Sequence, residues 1–231
     1  DDMPGMNDHK FSILIYALFF GAIMGGKLLF VLVEWPAFRG GEIEFISDFR
    51  YGFVFFGGLL GSMLMGVLAS RWMRLPYLGT ADYFGVALPM GHWLGRLGCL
   101  AAGCCYGRPT SMPWAVTYRN PASSTPDELA GVPLHPVQVY ESLAVAAMAL
   151  FLWLRVLPLV KKGKLHPGTV FLGYVFLYSL ARFVIEYFRG DDRGLSMGPL
   201  SPSQWLSLAG MGLAGALLAR SAAKLKKAVL R

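Results

Sequence analysis

Residues 11–33 read FSILIYALFFGAIMGGKLLFVLV, an apolar run interrupted by one charge, Lys27. A helix needs about 20 predominantly apolar residues to cross the hydrocarbon core of a bilayer. The run is too long for the apolar part of a secretory signal peptide and lacks a small-residue cleavage site, so no cleavable signal is expected. The stretch predicts a transmembrane helix and places the chain among membrane proteins.

Five more stretches of the 231-residue chain have a similar apolar character. Across the chain 55% of the residues are hydrophobic and 15% are charged, whereas soluble domains carry about 25% charged residues. The predicted membrane spans are residues 11–33, 52–70, 80–98, 138–158, 168–188 and 203–219. We therefore predict an all-α fold, a polytopic membrane helix bundle of about six transmembrane helices that forms one domain over residues 1–231.

The distribution of lysine and arginine predicts the orientation of this bundle. The side rich in these residues comprises the N-terminal tail 1–10, the loops near 71–79 and 159–167, and the basic tail 220–231. The opposite side holds eight acidic residues in segments 34–51, 99–137 and 189–202. Because positively charged loops stay cytoplasmic, we expect both termini inside and 99–137 as an outer-face loop. Segment 34–51 is too polar to span and is predicted to lie in the membrane interface.

The formal net charge of +7 does not point to nucleic acid, because the excess lies in the predicted cytoplasmic segments. The basic tail is instead expected to rest on anionic lipid. Membrane lipids are the expected partners of these surfaces, and nucleic acid is not.

Several charged side chains fall within the predicted spans, where charge is unfavourable and commonly marks function or a paired interior site. Arg96, Glu141 and Glu186 lie near the outer ends of their helices and could converge on one outward-facing cavity. Arg182 and Glu186 are spaced i, i+4 and can neutralise each other. Asp82 lies near a helix start, where an acidic side chain can act as a cap.

Segment 91–107, GHWLGRLGCLAAGCCYG, carries the densest pattern of glycine and polar residues. Its glycines permit close helix contact or a broken helix, and freed backbone in a membrane is tolerated only within protein or beside water. Arg96 in this segment suits a phosphate group, because a planar guanidinium makes paired, charge-assisted hydrogen bonds. The segment therefore predicts a polar site that binds phosphate.

Five motifs occur in an order that resembles the prolipoprotein diacylglyceryl transferases, membrane enzymes of bacteria. They are GGLLG at 57–61, GRLG at 95–98, HPVQVYE at 135–141, RFVIEYFR at 182–189 and LSMG at 195–198. The resemblance implies an enzyme that moves the diacylglyceryl group of phosphatidylglycerol onto the thiol of a lipobox cysteine in a lipoprotein precursor. Glycerol 1-phosphate is then released outside the inner membrane.

The resemblance also implies roles for individual residues. Arg96 would hold the phosphate of the donor lipid, and Arg182, paired with Glu186, would provide a second cation near the headgroup. The protein would be a multi-pass protein of the bacterial inner membrane with its active face in the periplasm or outside the cell. Two further residues would orient the site, and one would lie in the signature loop; they are Glu141, His135 and Gly107.

The chain departs from the family pattern at the position of a candidate catalytic base. The family has a histidine before its Gly-Gly pair, where this chain has Phe56. The signature loop of the family has Asn and Glu where this chain has Cys99 and Cys104, and Lys27 stands where the family has an arginine. The family also has seven spans. These differences predict a divergent paralogue with weak or no activity as an ordinary prolipoprotein transferase, which retains phosphatidylglycerol-type lipid in its cavity.

The cysteines Cys99, Cys104 and Cys105 are the only ones in the chain and leave several roles open. The four-ligand spacing of a zinc site is absent, so neither a metal nor a cofactor is expected. The alternatives are apolar packing, a disulfide with one thiol left over, and a nucleophile or redox pair. Cys104 and Cys99 are thus candidate catalytic residues, and Cys99 could ionise beside Arg96.

The missing histidine leaves three possibilities for activating an acceptor thiol. His92 or His135 could replace it, a cysteine of the protein could attack, or the reaction of the family could be lost. His92 lies four residues before Arg96 and shares its helix face. The main hypothesis is a lipid-dependent transferase; the alternatives are a non-catalytic lipid-binding or transport protein and a thiol redox membrane protein on the same scaffold.

Overall fold

The computed structural model describes residues 5–41, 52–191 and 198–229. In this part of the chain the helices are α1 (Asp8–Val33), α2 (Trp35–Gly40), α3 (Phe55–Trp72), α4 (Tyr77–Ala102), α5 (Val137–Phe151), α6 (Leu157–Lys161), α7 (Thr169–Ile185) and α8 (Pro202–Val229). A π-helical segment, Leu152–Val156, joins α5 to α6. Extended pairing within the described residues is limited to isolated bridges, so the all-helical prediction is confirmed.

Four helices of the described chain are long and apolar enough to cross a membrane. They cover Asp8–Val33, Val137–Lys161, Thr169–Phe188 and Pro202–Leu225. Each coincides with one of the predicted spans, and the protein is therefore a multi-pass helical membrane protein. Helices α3 and α4 occupy the other two predicted stretches.

The chain forms two compact units, Asp1–Thr80 and Ala81–Arg231. In the first unit α1 and α3 approach so closely that their glycines meet backbone to backbone. Gly21 and Gly25 of α1 face Gly57 and Gly61 of α3, and a Cβ atom on any of them would overlap the opposite backbone. This is the close packing that small residues four apart allow in membrane helices. The Gly-Gly motif of this chain therefore serves helix packing.

The charge of Lys27, inside α1, is satisfied within the first unit. Its Nζ atom donates a hydrogen bond to the carbonyl oxygen of Gly52 at 2.8 Å. An ammonium group within a membrane helix needs such a partner. Lys27 thereby ties α1 to the segment that leads into α3.

In the second unit Asp82 of α4 caps the start of α7. Its carboxylate accepts hydrogen bonds from the backbone N–H groups of Gly168 at 2.6 Å, Val170 at 2.7 Å and Phe171 at 3.1 Å. The first N–H groups of a helix have no partner within the helix, and an acidic side chain there is favourable. The capping prediction for Asp82 is right in kind, but the capped helix is α7 and not its own.

The predicted loops and tails need adjustment against the structure. Helix α4 continues to Ala102, so the loop predicted at 99–137 begins at 103 and Cys99 belongs to the helix. Part of segment 34–51 is helical, as α2, and its residues 42–51 lie outside the described residues, as does most of the LSMG motif. Helix α8 extends to Val229, so most of the basic tail 220–231 is helical.

Candidate active site

The second unit contains a buried polar cluster between α4, α5 and α7. Glu141 of α5 is 1% exposed, and its Oε1 atom accepts hydrogen bonds from Arg96 Nη2 at 2.9 Å and from the hydroxyl of Tyr178 at 2.8 Å. A carboxylate removed from water needs such charged and polar donors. The structure therefore brings together Arg96 and Glu141, which sequence analysis placed at one site.

His92 also belongs to this cluster, one turn before Arg96 on α4. Its Nε2 atom accepts a hydrogen bond from Arg96 Nε at 3.2 Å and lies 3.3 Å from Glu141 Oε1. Its Nδ1 atom is 3.4 Å from the hydroxyl of Tyr174. The Nε2 atom of His92 therefore lies between the guanidinium of Arg96 and the carboxylate of Glu141.

Arg182 and Glu186 form the ion pair that their i, i+4 spacing predicted. Arg182 Nη2 lies 2.6 Å from Glu186 Oε2, and both side chains are more than nine-tenths buried. Ser201 donates to Glu186 Oε1 at 2.7 Å, and Arg182 Nη2 donates to Ser203 Oγ at 3.3 Å. These bonds connect the end of α7 to the start of α8 and hold the arginine in one orientation.

Arg189 is a site residue that sequence analysis missed. It is 5% exposed and forms a bidentate ion pair with Asp191. Its Nε and Nη2 atoms donate hydrogen bonds to the two carboxylate oxygens at 2.8 and 2.7 Å. Its third nitrogen, Nη1, lies 4.0 Å from Glu141 Oε2. The available signal was its place in RFVIEYFR, one turn beyond Glu186, where a third charge extends the Arg182–Glu186 pair.

A short antiparallel contact between two loops positions Arg189. The backbone carbonyl of Tyr106 accepts a hydrogen bond from the backbone N–H of Gly190 at 3.1 Å. The backbone N–H of Arg108 donates one to the carbonyl of Phe188 at 2.9 Å. Gly107 lies opposite Arg189 in this contact, and a Cβ on Gly107 would overlap the backbone oxygen of the neighbouring loop at 135. Gly107 thus allows the two loops to approach each other, and its role in binding lipid phosphate, which the resemblance to the family implies, stays a prediction.

The three cysteines converge at the end of α4. The sulfur atoms of Cys99, Cys104 and Cys105 lie within 4.8 Å of one another, all partly buried. Burial and the neighbouring thiols raise the pKa of Cys104 to about 11. Burial also acts to raise the pKa of Cys105, but a hydrogen bond with Arg189 and the charge of that guanidinium outweigh it, so the pKa is lowered. Cys105 is therefore the thiol in contact with the arginine site.

His135 lies outside the hydrogen-bonded cluster around Glu141. Its Nδ1 atom is 3.1 Å from the hydroxyl of Tyr140, which also accepts a hydrogen bond from Trp114 Nε1 at 2.7 Å. The N-cap of α5 is Pro136 and has no side-chain cap bond, so His135 does not cap this helix. Its bonding instead connects the loop to α5.

The remaining residues singled out in the sequence are the glycines of α4 and Phe56. Helix α4 is continuous through the glycine-rich segment, so the broken-helix alternative is wrong. Apart from neighbouring residues of α4 itself, no described atom of the second unit lies within 4 Å of a Cβ built on Gly91, Gly95 or Gly98. Phe56 lies at the start of α3 in the first unit and is 48% exposed.

Fold and site define a class: a multi-pass helical membrane protein with a buried site of three arginines, each paired with a carboxylate. The family model of the prolipoprotein diacylglyceryl transferases matches residues 2–220. The chain therefore belongs to this family.

Individual proteins that are similar to this chain have the name of this family. A phosphatidylglycerol–prolipoprotein diacylglyceryl transferase 2 of Clostridium perfringens is 36% identical over 224 residues, which cover 96% of this chain and 82% of the relative. A phosphatidylglycerol–prolipoprotein diacylglyceryl transferase of Clostridium tetani is 34% identical over 202 residues, with 87% and 76% covered. One of Geobacter sulfurreducens is 35% identical over 197 residues, with 84% and 71% covered.

Proposed function

We propose that this protein is a lipid-dependent transferase that moves the diacylglyceryl group, or a related group, of phosphatidylglycerol to a thiol acceptor. The acceptor class is a lipoprotein precursor. The observation that carries the proposal is the buried arginine cluster in a chain of this family. Arginine in a membrane interior is unfavourable unless it serves a paired or functional site, and an anionic lipid headgroup is the ligand that such a site fits.

Arg96 is the residue best suited to bind the donor phosphate. Its side chain is 15% exposed, compared with 8% for Arg182 and 3% for Arg189. Arg96 can therefore be reached from outside the cluster, whereas the other two hold the site in place and add positive charge. Glu141 keeps the guanidinium of Arg96 oriented through the 2.9 Å bond, which reduces the ordering cost when a phosphate binds.

The proposed orientation puts this site at the outer face of the bacterial cytoplasmic membrane. Helix α3 has 18 residues and α4 has 26, so they are about 27 and 39 Å long at 1.5 Å per residue. The length of α3 is close to a hydrocarbon core of about 30 Å and that of α4 exceeds it, which supports six spans. The distribution of lysine and arginine supports termini in the cytoplasm. Arg96 and Glu141 are then near the outer ends of their helices, and Arg189 follows the end of α7, beside the loop 103–136.

Headgroup release tests the function directly. The purified full chain is incubated with phosphatidylglycerol labelled in its glycerol headgroup and with a peptide that contains a lipobox cysteine. We expect labelled glycerol phosphate and a diacylglyceryl-modified peptide in equal amounts. Arg96→Lys should reduce both, whereas the matched control Arg155→Lys, an exposed arginine between α5 and α6, should not. Phosphatidylglycerol that binds but is never cleaved would instead support the lipid-binding or transport alternative.

The weak activity expected towards ordinary lipoprotein precursors stays a prediction. It depends on Phe56 and on the cysteines in place of the family's polar residues. Expression in a strain depleted of its own transferase tests it through growth and lipoprotein processing. Incomplete rescue is expected, and full rescue would contradict the divergent-paralogue hypothesis.

A further inference from the structure

The three cysteines form a donor set of the kind that binds a metal ion. Cys99, Cys104 and Cys105 each offer one sulfur atom, and the three atoms lie within 4.8 Å of one another. Sulfurs around a tetrahedral zinc ion, at Zn–S distances of about 2.3 Å, are about 3.8 Å apart. Small side-chain rotations are therefore enough to bring the three sulfurs onto one ion.

Hydrogen bonds hold the backbone around the cysteines in an uncommon conformation. Gly103 and Cys105 have φ angles of 69° and 59°, and non-glycine residues in this region cluster at functional sites. Thr125 donates to the carbonyl of Gly103 at 2.7 Å, and Gln138 donates to the carbonyl of Cys104 at 2.8 Å. These bonds fix the turn that returns the chain to the end of α4, so the cysteine cluster does not depend on a flexible loop.

Positive charge surrounds the cysteine cluster on the side of the arginine site. Arg189 hydrogen bonds to Cys105, and the charge of Arg96 reaches Cys99 and Cys105. Three thiolates and one divalent ion carry a net charge of −1, which lies beside the guanidinium groups of the ion pairs Arg189–Asp191 and Arg96–Glu141. Arg189 also lies 4.0 Å from Glu141, the carboxylate that holds Arg96. The cluster is therefore continuous with the proposed site of the donor phosphate.

We infer that Cys99, Cys104 and Cys105 bind a zinc ion, or another thiophilic d10 cation, whose fourth coordination position takes the thiol of the acceptor. This inference rests on the proposed transferase function. A zinc ion with three protein ligands keeps one position open for a substrate, and a thiol that coordinates a metal loses its proton. By binding the acceptor thiol, the ion converts it to a thiolate. A histidine is then not needed as the base, and this chain has Phe56 where the family has that histidine. The sequence lacks the spacing of four protein ligands for zinc, but here the thiol of the substrate is the fourth ligand.

The transfer needs no reagent other than the lipid, the acceptor thiol and the bound ion. The acceptor thiol releases its proton to solvent as its sulfur binds the ion. An electron pair of that sulfur attacks the glyceryl carbon bonded to the phosphate, so a carbon–sulfur bond forms and the carbon–oxygen bond breaks. Glycerol phosphate leaves with the electron pair of the broken bond and is stabilised by Arg96. The thioether product is a weaker ligand than a thiolate and leaves the ion.

Metal content tests the site itself. The full chain is purified under reducing conditions from cells supplied with Zn²⁺, and metal per chain is measured by plasma mass spectrometry. We expect one zinc ion per chain, lost in Cys99→Ser, Cys104→Ser and Cys105→Ser. The matched control Ala102→Ser adds a hydroxyl beside the cluster, keeps all three sulfurs and should retain the metal. A chain without bound metal, whether its thiols are free or joined in a disulfide, that also fails to bind Cd²⁺ after reduction overturns the site.

Cobalt substitution tests the open position independently of catalysis. The sulfur-to-cobalt absorption of the Co²⁺-loaded chain should change when a lipobox peptide with cysteine is added. The same peptide with serine in place of cysteine should leave the absorption unchanged. Identical spectra with both peptides overturn thiol coordination, even if the cysteines bind the metal.

Activity separates this inference from the proposed function. Removal of the metal should slow headgroup release by at least about a hundredfold, the usual contribution of a general base, and Zn²⁺ should restore it in the unmodified chain only. Equal rates with and without metal overturn the role of the ion in the reaction. If the metal-loaded chain binds the cysteine peptide but never cleaves phosphatidylglycerol, the transferase function fails while the metal and peptide measurements stand.

Discussion

Arg96 donates hydrogen bonds from two different nitrogens, to His92 at 3.2 Å and to Glu141 at 2.9 Å. This geometry requires the planar fork of a guanidinium, which lysine lacks. Charge-assisted hydrogen bonds contribute about 1.5–3 kcal/mol each. A lysine would keep the charge but lose the orientation of these bonds. His135 bonds instead to Tyr140, away from this cluster.

Arg96→Lys should therefore weaken phosphatidylglycerol binding by about tenfold or more, whereas His135→Ala should change it little. The lysine variant keeps a positive charge beside Glu141, which avoids a buried carboxylate without a cation. Binding to lipid nanodiscs of fixed phosphatidylglycerol content measures the difference, and thermal unfolding checks that both variants fold. Equal losses of binding in the two variants would contradict the ranking.

At the scale of elements, the contact between the loops at 106–108 and 188–190 places Arg189 beside Glu141. Gly107→Ala should separate these loops, because its new Cβ would lie 2.6 Å from the Cβ of His135. Headgroup release should then fall with little change in helix content by circular dichroism. Gly91→Ala is the matched control, because apart from neighbouring residues of α4 itself no described atom of the second unit lies within 4 Å of its Cβ. A fully active Gly107→Ala variant would exclude the positioning role of this loop contact.

Asp82 connects α4 to α7 through three backbone hydrogen bonds, so its removal should act on stability. Asp82→Ala leaves the N–H groups of Gly168, Val170 and Phe171 without this acceptor, at a cost of about 1–3 kcal/mol. The thermal midpoint in detergent should fall, and amide exchange at the start of α7 should increase. Asp127→Ala, in the loop, is the control and should leave both quantities unchanged. Unaltered exchange at the start of α7 in Asp82→Ala would show that the cap is dispensable.

At the scale of the whole molecule, the proposed topology predicts which loops a membrane-impermeant reagent can reach. With the native cysteines changed to serine, Arg119→Cys should react from outside intact cells. The matched variant Lys162→Cys should react only after the membrane is opened, because the positive-inside rule places its loop in the cytoplasm. Labelling of the cysteine at 119 only from the cytoplasmic side would reverse the proposed orientation.

The sequence determined the features that depend on local pattern. Apolar runs of membrane length predicted the helices, because each run must satisfy its own backbone in lipid. The i, i+4 spacing predicted the Arg182–Glu186 pair, because helical geometry alone brings such side chains together. The order of the motifs identified the family before any contact was known.

Only the tertiary structure decided which distant residues meet. Arg189 reaches Glu141 and Cys105 because the loops at 106–108 and 188–190, which are distant in sequence, pair with each other. No local period encodes such a pairing. The three sulfurs meet because Gly103 and Cys105 adopt left-handed backbone conformations that bonds from Thr125 and Gln138 hold in place. Contacts of this kind depend on the packing of several elements at once, so spacing along the chain does not reveal them.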